Sequence, residues 1–335
     1  MFTHYELHFS SDRTTKIVSG PIADLLPQLL PSGRVFAIVD AEVEALHNIS
    51  QLIPETLIIP GGEENKNMQL VDMIWQEMVD SKVDRETFLV GVGGGVLTDL
   101  VGFVATTWMR GVRFGLVPTT LLAQIDAAIG GKCAVNLGGY KNMVGTFAPA
   151  EFVLCDHAFL KTLPEREMRA GVAEMIKAAV IGDVELFERL EQLPADALVN
   201  DRGVFDELVA RSVRVKCDIV QRDPYEKGER KLLNLGHTFA HAIESLTEQY
   251  SHGEAVAIGL VRASQMAVKM GLMAAEQAER IAKLVAKYGL PISSPIDDEQ
   301  MWEAMSHDKK VADGVVRMIL PTTIGKCNIY SITEL

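Results

Sequence analysis

Two patterns of hydrophobicity follow one another along this chain, and their order limits the folds open to it. Up to about residue 160 the apolar side chains gather into short unbroken runs: Val35-Phe-Ala-Ile-Val39, Thr56-Leu-Ile-Ile59, Thr87-Phe-Leu-Val-Gly91 and Val112 to Val117. Such runs suit strands buried on both faces, and helical stretches such as Met68 to about Ser81 alternate with them. The pattern predicts a parallel α/β sheet whose ligands gather at the strand C-terminal ends. Residues 1 to about 20 read as a β-rich lead-in, and Pro21 to Leu30 as a short amphipathic helix. From Glu165 to about Lys287 the helical period dominates, punctuated by Pro194 and a loop at 221–228. Val315 to Leu320 and Cys327 to Tyr330 read as a small strand pair around the turn Thr323-Ile-Gly325. The expectation is an α/β N-terminal domain with a parallel Rossmann-like sheet, residues 1–160, and a mainly α-helical C-terminal domain, residues 161–335.

Charge and composition remove several partners. A formal charge of −13 with no basic stripe argues against a general nucleic-acid binder, although a small anionic substrate answers to local Lys and Arg alone. The most membrane-like run, Val90 to Met109, holds Asp99 and five glycines and reads as strand, loop and helix, so no membrane partner is expected. No signal peptide is visible at Met-Phe-Thr-His-Tyr-Glu. Cys133, Cys155, Cys217 and Cys327 lie far apart without a CxxC pair, which fits reduced thiols in a cytoplasm.

Four clusters can carry chemistry. From Arg230 onward the chain reads as one helix on which Arg230, Asn234, His237 and His241 share a face, with His252 arriving from the next segment. Two imidazoles one turn apart and a third ligand can hold a divalent metal with a position left open; the plainer reading is a polar helix with incidental histidines. Glu174 and Lys177 lie three apart in an apolar helical stretch, either as an ion pair or with Glu174 completing a Glu-His-His site. Gly91-Val-Gly-Gly-Gly-Val96 follows a strand and opens a helix, and Thr119-Thr120 ends the next strand. The glycines fail the GxGxxG fingerprint, leaving a pyrophosphate seat and close strand–helix packing as alternatives. Asp126, Gly130-Gly-Lys132 and Lys141-Asn142 form a phosphate or carboxylate seat or a loop of solvated lysines.

Taken together, these segments resemble the 3-dehydroquinate synthase family of the sugar phosphate cyclase superfamily. The resemblance runs from about Asp40 to Gly325 and rests on GGGVLTDLVGF (93–103), RG (110–111), PTTLLAQID (118–126), GGK (130–132), KNMVGTF (141–147), LKTLPERE (160–167), AEMIK (173–177), LNLGHTFAHAIE (233–244) and HGEAVAIG (252–259). It implies a dehydroquinate synthase-like fold and carries site residues over one position at a time. NAD is expected on Asp40, Glu63, Lys66, Gly94, Gly95, Val96, Asp99, Thr119, Thr120, Lys141 and Thr162, and a divalent metal, zinc with cobalt as the alternative, on Glu174, His237 and His252. Substrate binding falls on Arg110, Asp126, Asn142, Lys216 and, of the 309–310 pair, Lys309; the catalytic set is His241, Glu226, Lys177, Lys132, Arg230 and Asn234.

The implied substrate is a small anionic sugar phosphate, 3-deoxy-D-arabino-heptulosonate 7-phosphate, and the product 3-dehydroquinate, in the shikimate pathway. Family chemistry oxidises a carbinol with NAD, expels phosphate by β-elimination, returns the hydride and closes the carbocycle by an intramolecular aldol. A cytoplasmic homodimer is a family expectation. Other sugar phosphate cyclases and a metal-dependent polyol dehydrogenase are the competing readings, the second of which needs fewer phosphate-binding cations. Two departures stand out: Ala127 and Ala128 replace the serines usual after Asp126, and Pro149 falls about one position early.

Overall fold

The computed structural model describes residues 5–10, 13–306 and 316–334. Its internal contacts divide the chain into two units, Met1–Leu163 and Pro164–Leu335.

In the first unit, β1 (Tyr5–Ser10) and β2 (Arg13–Ser19) form an antiparallel hairpin, followed by α1 (Ile22–Leu29), β3 (Val35–Asp40), α2 (Ala41–His47), β4 (Thr56–Ile59) and α3 (Met68–Asp80). Then come β5 (Phe88–Gly93), α4 (Gly95–Thr107), β6 (Phe114–Pro118), the hairpin β7 (Lys132–Leu137) with β8 (Tyr140–Phe147), and β9 (Phe152–Cys155). Seven strands pair in the order β1-β2-β9-β6-β5-β3-β4, parallel except at the β1 edge. Unbroken apolar sequence becomes two-sided burial: every residue of β5 is buried, as are Phe36 to Val39 of β3. Ala37, Val39, Val90, Val92, Val117 and Leu154 pack in one core with Leu26, Ile49 and Ile53. Elsewhere on β5, a Cβ on Gly91 would lie 2.9 Å from Val101 Cγ2 of α4, so this glycine permits close strand–helix contact. From β3 the chain moves outward to β4; it then crosses back to β5 and continues to β6. The C-terminal ends of β3 and β5 therefore frame the switch point at which open α/β sheets bind ligands.

Two features exceed the sequence expectation. Phe152–Cys155 adds a short parallel strand that links β2 to the main sheet, and the lysine-rich segment after Asp126 folds into a hairpin where a loop was one expected form. Four residues flanked by loops are too few to show a period, and the hairpin's exposed face carries little apolar signal.

The second unit contains α5 (Glu165–Gly182), α6 (Val184–Gln192), α7 (Ala197–Asn200), α8 (Arg202–Arg222), α9 (His237–Leu246), α10 (His252–Lys269), α11 (Ala275–Lys287), α12 (Asp298–Ser306) and the antiparallel pair β10 (Val316–Thr323) with β11 (Lys326–Ile332). Helix α5 is buried continuously from Ala170 to Ile181, which marks it as the central helix of this unit. The single helix expected from Arg230 onward does not form. Glu229–Asn234 is a 3-10 stretch, and α9 begins only at His237, after Gly236 in a left-handed conformation, φ 79°. Helix α10 forces the break, because a Cβ on Gly259 would lie 2.1 Å from the Gly236 carbonyl oxygen. Arg230 and Asn234 therefore do not share a helical face with His237 and His241.

Candidate active site

The helical unit assembles its site through backbone contacts that only glycine allows. His252 is the first residue of α10, set by a capping box in which Ser251 and Glu254 satisfy each other's backbone N–H groups. Next to it, a Cβ on Gly253 would lie 2.3 Å from Ala170 Cα. This approach seats the start of α10 on the face of α5 that carries Glu174 one turn further on. Arg166 braces the same junction through its bonds to the Glu254 carboxylate and the Gln249 carbonyl. The contact of Gly236 with Gly259 sets the start of α9, and with it His237, against α10.

These constraints bring Glu174, His237 and His252 together, with one ligand atom from each lying within 4.8 Å of the other two. Glu174 Oε1 stands 3.8 Å from His237 Nε2 and 3.5 Å from His252 Nε2. Ligand atoms of a tetrahedral zinc lie roughly 3.4 Å apart, so the set fits a divalent metal with little movement. The outward nitrogens support this use. His237 Nδ1 faces the Leu235 carbonyl at 3.3 Å and His252 Nδ1 faces Glu244 Oε1 at 3.4 Å. Both partners are acceptors, so each Nδ1 carries a proton and Nε2 is the nitrogen that would offer its lone pair to a metal. Glu244 had no assigned role in the sequence reading; its signal is its place two turns beyond His237 on the same helix face.

Glu174 is 2% exposed and its second oxygen is held by the Lys177 ammonium, itself 3% exposed. The ion pair and the metal-ligand geometry, posed as alternatives from sequence, coexist. In the metal-free state burial opposes charging of His252, but Glu174 and Glu244 outweigh it and push its pKa up to about 9.

Around this centre, His241 stacks edge-on to His237 with ring centroids 5.6 Å apart. Arg230 is 1% exposed; its guanidinium bonds the Pro224 carbonyl and its backbone N–H donates to Asp223 at 3.0 Å. Asp223 also accepts from Lys227 and Gly228, and although burial works against it, these donors hold its carboxyl below the usual range. Asn234 donates to Glu226 Oε1 at 2.7 Å, and Glu226 has a left-handed backbone, φ 56°. Lys216 is buried on α8, while Lys309 and Lys310 lie outside the described residues.

In the α/β unit, Asp40, Gly94, Gly95, Val96, Thr119 and Thr120 lie at or just after the C-terminal ends of β3, β5 and β6. Asp40 ends β3 and caps α2 through its carboxylate, and a Cβ on Gly93 would lie 3.2 Å from Asp40 Cβ. Gly94 precedes α4 and Gly95 and Val96 begin it, with Thr120 close enough that a Cβ on Gly94 would lie 3.1 Å from its methyl. No side chain caps this N-terminus, so its N–H groups suit an anion. Thr119 N–H donates to the Gly93 carbonyl at 2.9 Å. Lys66, 4% exposed, bridges Asp99 at 2.5 Å and Asn142 at 2.6 Å. Thr162 pairs with His47 at 2.8 Å; its hydroxyl already donates to the Phe159 carbonyl, so the ring nitrogen is the donor, and burial lowers the His47 pKa. Asp126 sits in a turn of π-helix, Ala123–Ala127; Lys132, Lys141 and Asn142 are exposed on the hairpin; and Arg110 is exposed with φ 68°.

Comparison with known proteins covers both units. A family model described as the 3-dehydroquinate synthase N-terminal domain matches residues 56–170, and its C-terminal counterpart matches residues 171–311. A 3-dehydroquinate synthase of Dehalococcoides mccartyi is 41% identical over 92% of this chain and 90% of its own length. Among solved structures, 2-epi-5-epi-valiolone synthase from Streptomyces hygroscopicus, with NAD+ and Zn2+ bound, matches with TM-score 0.88 and 30% identity over 99% of this chain and 96% of its own. A 2-deoxy-scyllo-inosose synthase complexed with carbaglucose-6-phosphate, NAD+ and Co2+ matches with TM-score 0.85 and 28% identity over 99% and 95%.

Proposed function

The chain belongs to the 3-dehydroquinate synthase family, and on that footing we propose that it converts 3-deoxy-D-arabino-heptulosonate 7-phosphate to 3-dehydroquinate and phosphate, a lyase step of the shikimate pathway. The observation that carries the reading is the convergence of Glu174, His237 and His252, with Lys177 on the second oxygen of Glu174. When bound, a divalent metal on these three residues supplies Lewis acidity at a substrate oxygen, and NAD supplies a reversible hydride acceptor.

The chain's own residues have distinct tasks in this reading. Residues 1–160 hold NAD through Asp40, Glu63, Lys66, the Gly94-Gly95-Val96 turn, Asp99, Thr119, Thr120, Lys141 and Thr162. Residues 161–335 hold the metal and most of the substrate. Lys132, Lys177 and Arg230 stabilise the departing phosphate electrostatically, since cations already fixed in place need no reorganisation as charge develops. His241 moves a proton beside the metal ligand His237, and Glu226, oriented by Asn234, is the second acid/base group. Arg110, Asp126, Asn142, Lys216 and Lys309 complete recognition of the anion. Family membership also carries the expectation of a cytoplasmic homodimer without nucleic-acid or membrane partners; no helix among the described residues is long and apolar enough to cross a membrane.

The test is to supply the zinc-loaded protein with NAD and the heptulosonate phosphate, following phosphate, dehydroquinate and NADH together. Equal amounts of phosphate and dehydroquinate with no net NADH establish the activity. Phosphate release from a different sugar phosphate alone would move the chain to another cyclase activity, and NADH accumulation with a polyol would replace the reading altogether.

A further inference from the structure

Asn136 has no role in the reaction as described above, yet it occupies the centre of a closed hydrogen-bond circuit in the α/β unit. The register of β7 against β8 shifts between Val135 and Leu137, where Asn136 alone on β7 faces residues 141–143 of β8, so the bulge lies on β8 and Asn136 opposite it is not a regular rung of the hairpin. Such an irregularity interrupts the ladder on both strands. Here the released backbone N–H donates to the Lys66 carbonyl at 2.8 Å, in an isolated parallel bridge with Asn67. The side chain works in two directions. Its Nδ2 donates to Glu63 Oε1 at 2.8 Å, and its Oδ1 accepts the Asn142 backbone N–H at 2.8 Å. Lys66 closes the circuit by donating to Asn142 Oδ1 at 2.6 Å.

Two consequences follow for Asn142. Its backbone is left-handed, φ 53°, a conformation asparagine enters more easily than most residues and that local hydrogen bonds hold in place. The Asn136 amide supplies one such constraint. An ammonium can only donate, so Lys66 also fixes which way the Asn142 amide is turned: oxygen toward Lys66, NH2 as the group left to offer. Asn142 is thereby set to donate, which suits a carboxylate, phosphate or hydroxyl oxygen.

We infer that Asn136 is a positioning residue that holds the donor geometry of Asn142 on one side and the Glu63–Lys66 turn on the other, so that one amide orders a substrate contact and a dinucleotide contact together. This rests on the proposed function, which assigns those contacts.

The experiment measures NAD affinity by calorimetry, and kcat and KM for the heptulosonate phosphate, in the wild type, Asn136→Ala, Asn136→Asp, Asn142→Ala and the double alanine variant. Loss of one such hydrogen bond corresponds to roughly a 3- to 10-fold change in a binding constant. Asn136→Ala is expected to raise both the NAD Kd and the sugar-phosphate KM by that factor, with kcat little changed. Asn136→Asp keeps the volume and the acceptor for Asn142 but loses the donor to Glu63 and sets two carboxylates together; it should raise the NAD Kd alone. Because Asn136 acts on substrate through Asn142, its KM penalty should vanish in the Asn142→Ala background. Additive penalties in the double variant, or kinetic constants unmoved while only the melting temperature falls, overturn the inference. If the wild type releases no phosphate from this substrate, the functional reading fails, and the NAD titration of Asn136→Asp decides alone: an unchanged Kd overturns the role of Asn136.

Discussion

Apart from Lys66, which is buried against Asp99, the α/β unit presents its site cations in the opposite way to the helical unit. In the helical unit Glu174, Lys177 and Arg230 are 2%, 3% and 1% exposed, held by helices that meet through bare backbone at Gly253 and Gly236. In the α/β unit Arg110, Lys132, Lys141 and Asn142 are exposed, on a hairpin or on left-handed backbone. A buried charge is tolerable only with its partner, so the first arrangement ties folding to the integrity of the site. The second leaves the recognition groups in water, where replacing them alters binding and leaves the core intact. Substitutions in the two regions should therefore separate into those that move stability and function together and those that move function alone.

The largest effect is expected from Glu174→Ala. It removes a metal ligand and takes from the buried Lys177 ammonium the carboxylate that faces it, and breaking a buried pair in this way costs about 3–5 kcal/mol. Denaturant titration of the metal-free protein should show that loss alongside abolished turnover. An unchanged midpoint would mean that Lys177 is satisfied by water or another group, which would erase the contrast. Gly253→Ala tests the helix contact itself. A methyl 2.3 Å from Ala170 Cα must push α10 away from α5, at about 1–3 kcal/mol, carrying His252 off Glu174. Metal affinity should fall with stability here; a variant with weakened folding and native metal affinity would detach the triad from this contact.

Glu244→Gln is milder. It keeps an acceptor for His252 Nδ1 and removes the charge, and hydrogen-bond partners of metal-binding histidines commonly contribute about 10-fold or more in metal affinity. Chelator competition should register that change with little shift in the melting temperature. The same histidine sets a pH dependence. Its pKa in the metal-free fold, pushed up to about 9, exceeds the ordinary histidine value of 6.5, so the folded state binds that proton more tightly than the unfolded chain. The resulting stability is fully present below pH 6.5 and disappears as pH rises toward 9. Melting temperatures of the chelated protein should decline across this window, while metal affinity climbs over it because metal and proton compete for His252. A flat profile, or one unchanged by Glu244→Gln, would contradict this account.

What could be read from sequence follows the same division. The buried strands and the long helices announced themselves through unbroken runs and helical period, because burial on all sides leaves a strong compositional trace. Glu174 and Lys177 were conspicuous as charges in an apolar stretch for the same reason. The break at Leu235-Gly236 was not legible: the cause is Gly259, more than twenty residues away, whose backbone meets Gly236. Sequence spacing counts residues within one element and says nothing of a second helix pressing on it. Glu244 and Asn136 escaped for a related reason, since each acts on a neighbour that only the fold brings into reach.

Arg110 gives the smallest expected change in stability and the sharpest test of the contrast. Met109 and Arg110 both take positive φ, 45° and 68°, and Arg110 is exposed. A left-handed backbone costs an ordinary residue roughly 1–2 kcal/mol, and glycine adopts it freely. Arg110→Gly relieves that strain while adding about 0.5–1 kcal/mol of unfolded-chain entropy. The terms oppose and are similar in size, so the denaturation midpoint should stay put or rise slightly. The lost guanidinium should instead appear as a raised KM for the sugar phosphate, with a weaker dependence of KM on salt because one exposed cation is gone. A marked fall in stability would show that Arg110 holds the fold as Lys177 is expected to, and that exposure does not separate recognition from folding in this chain.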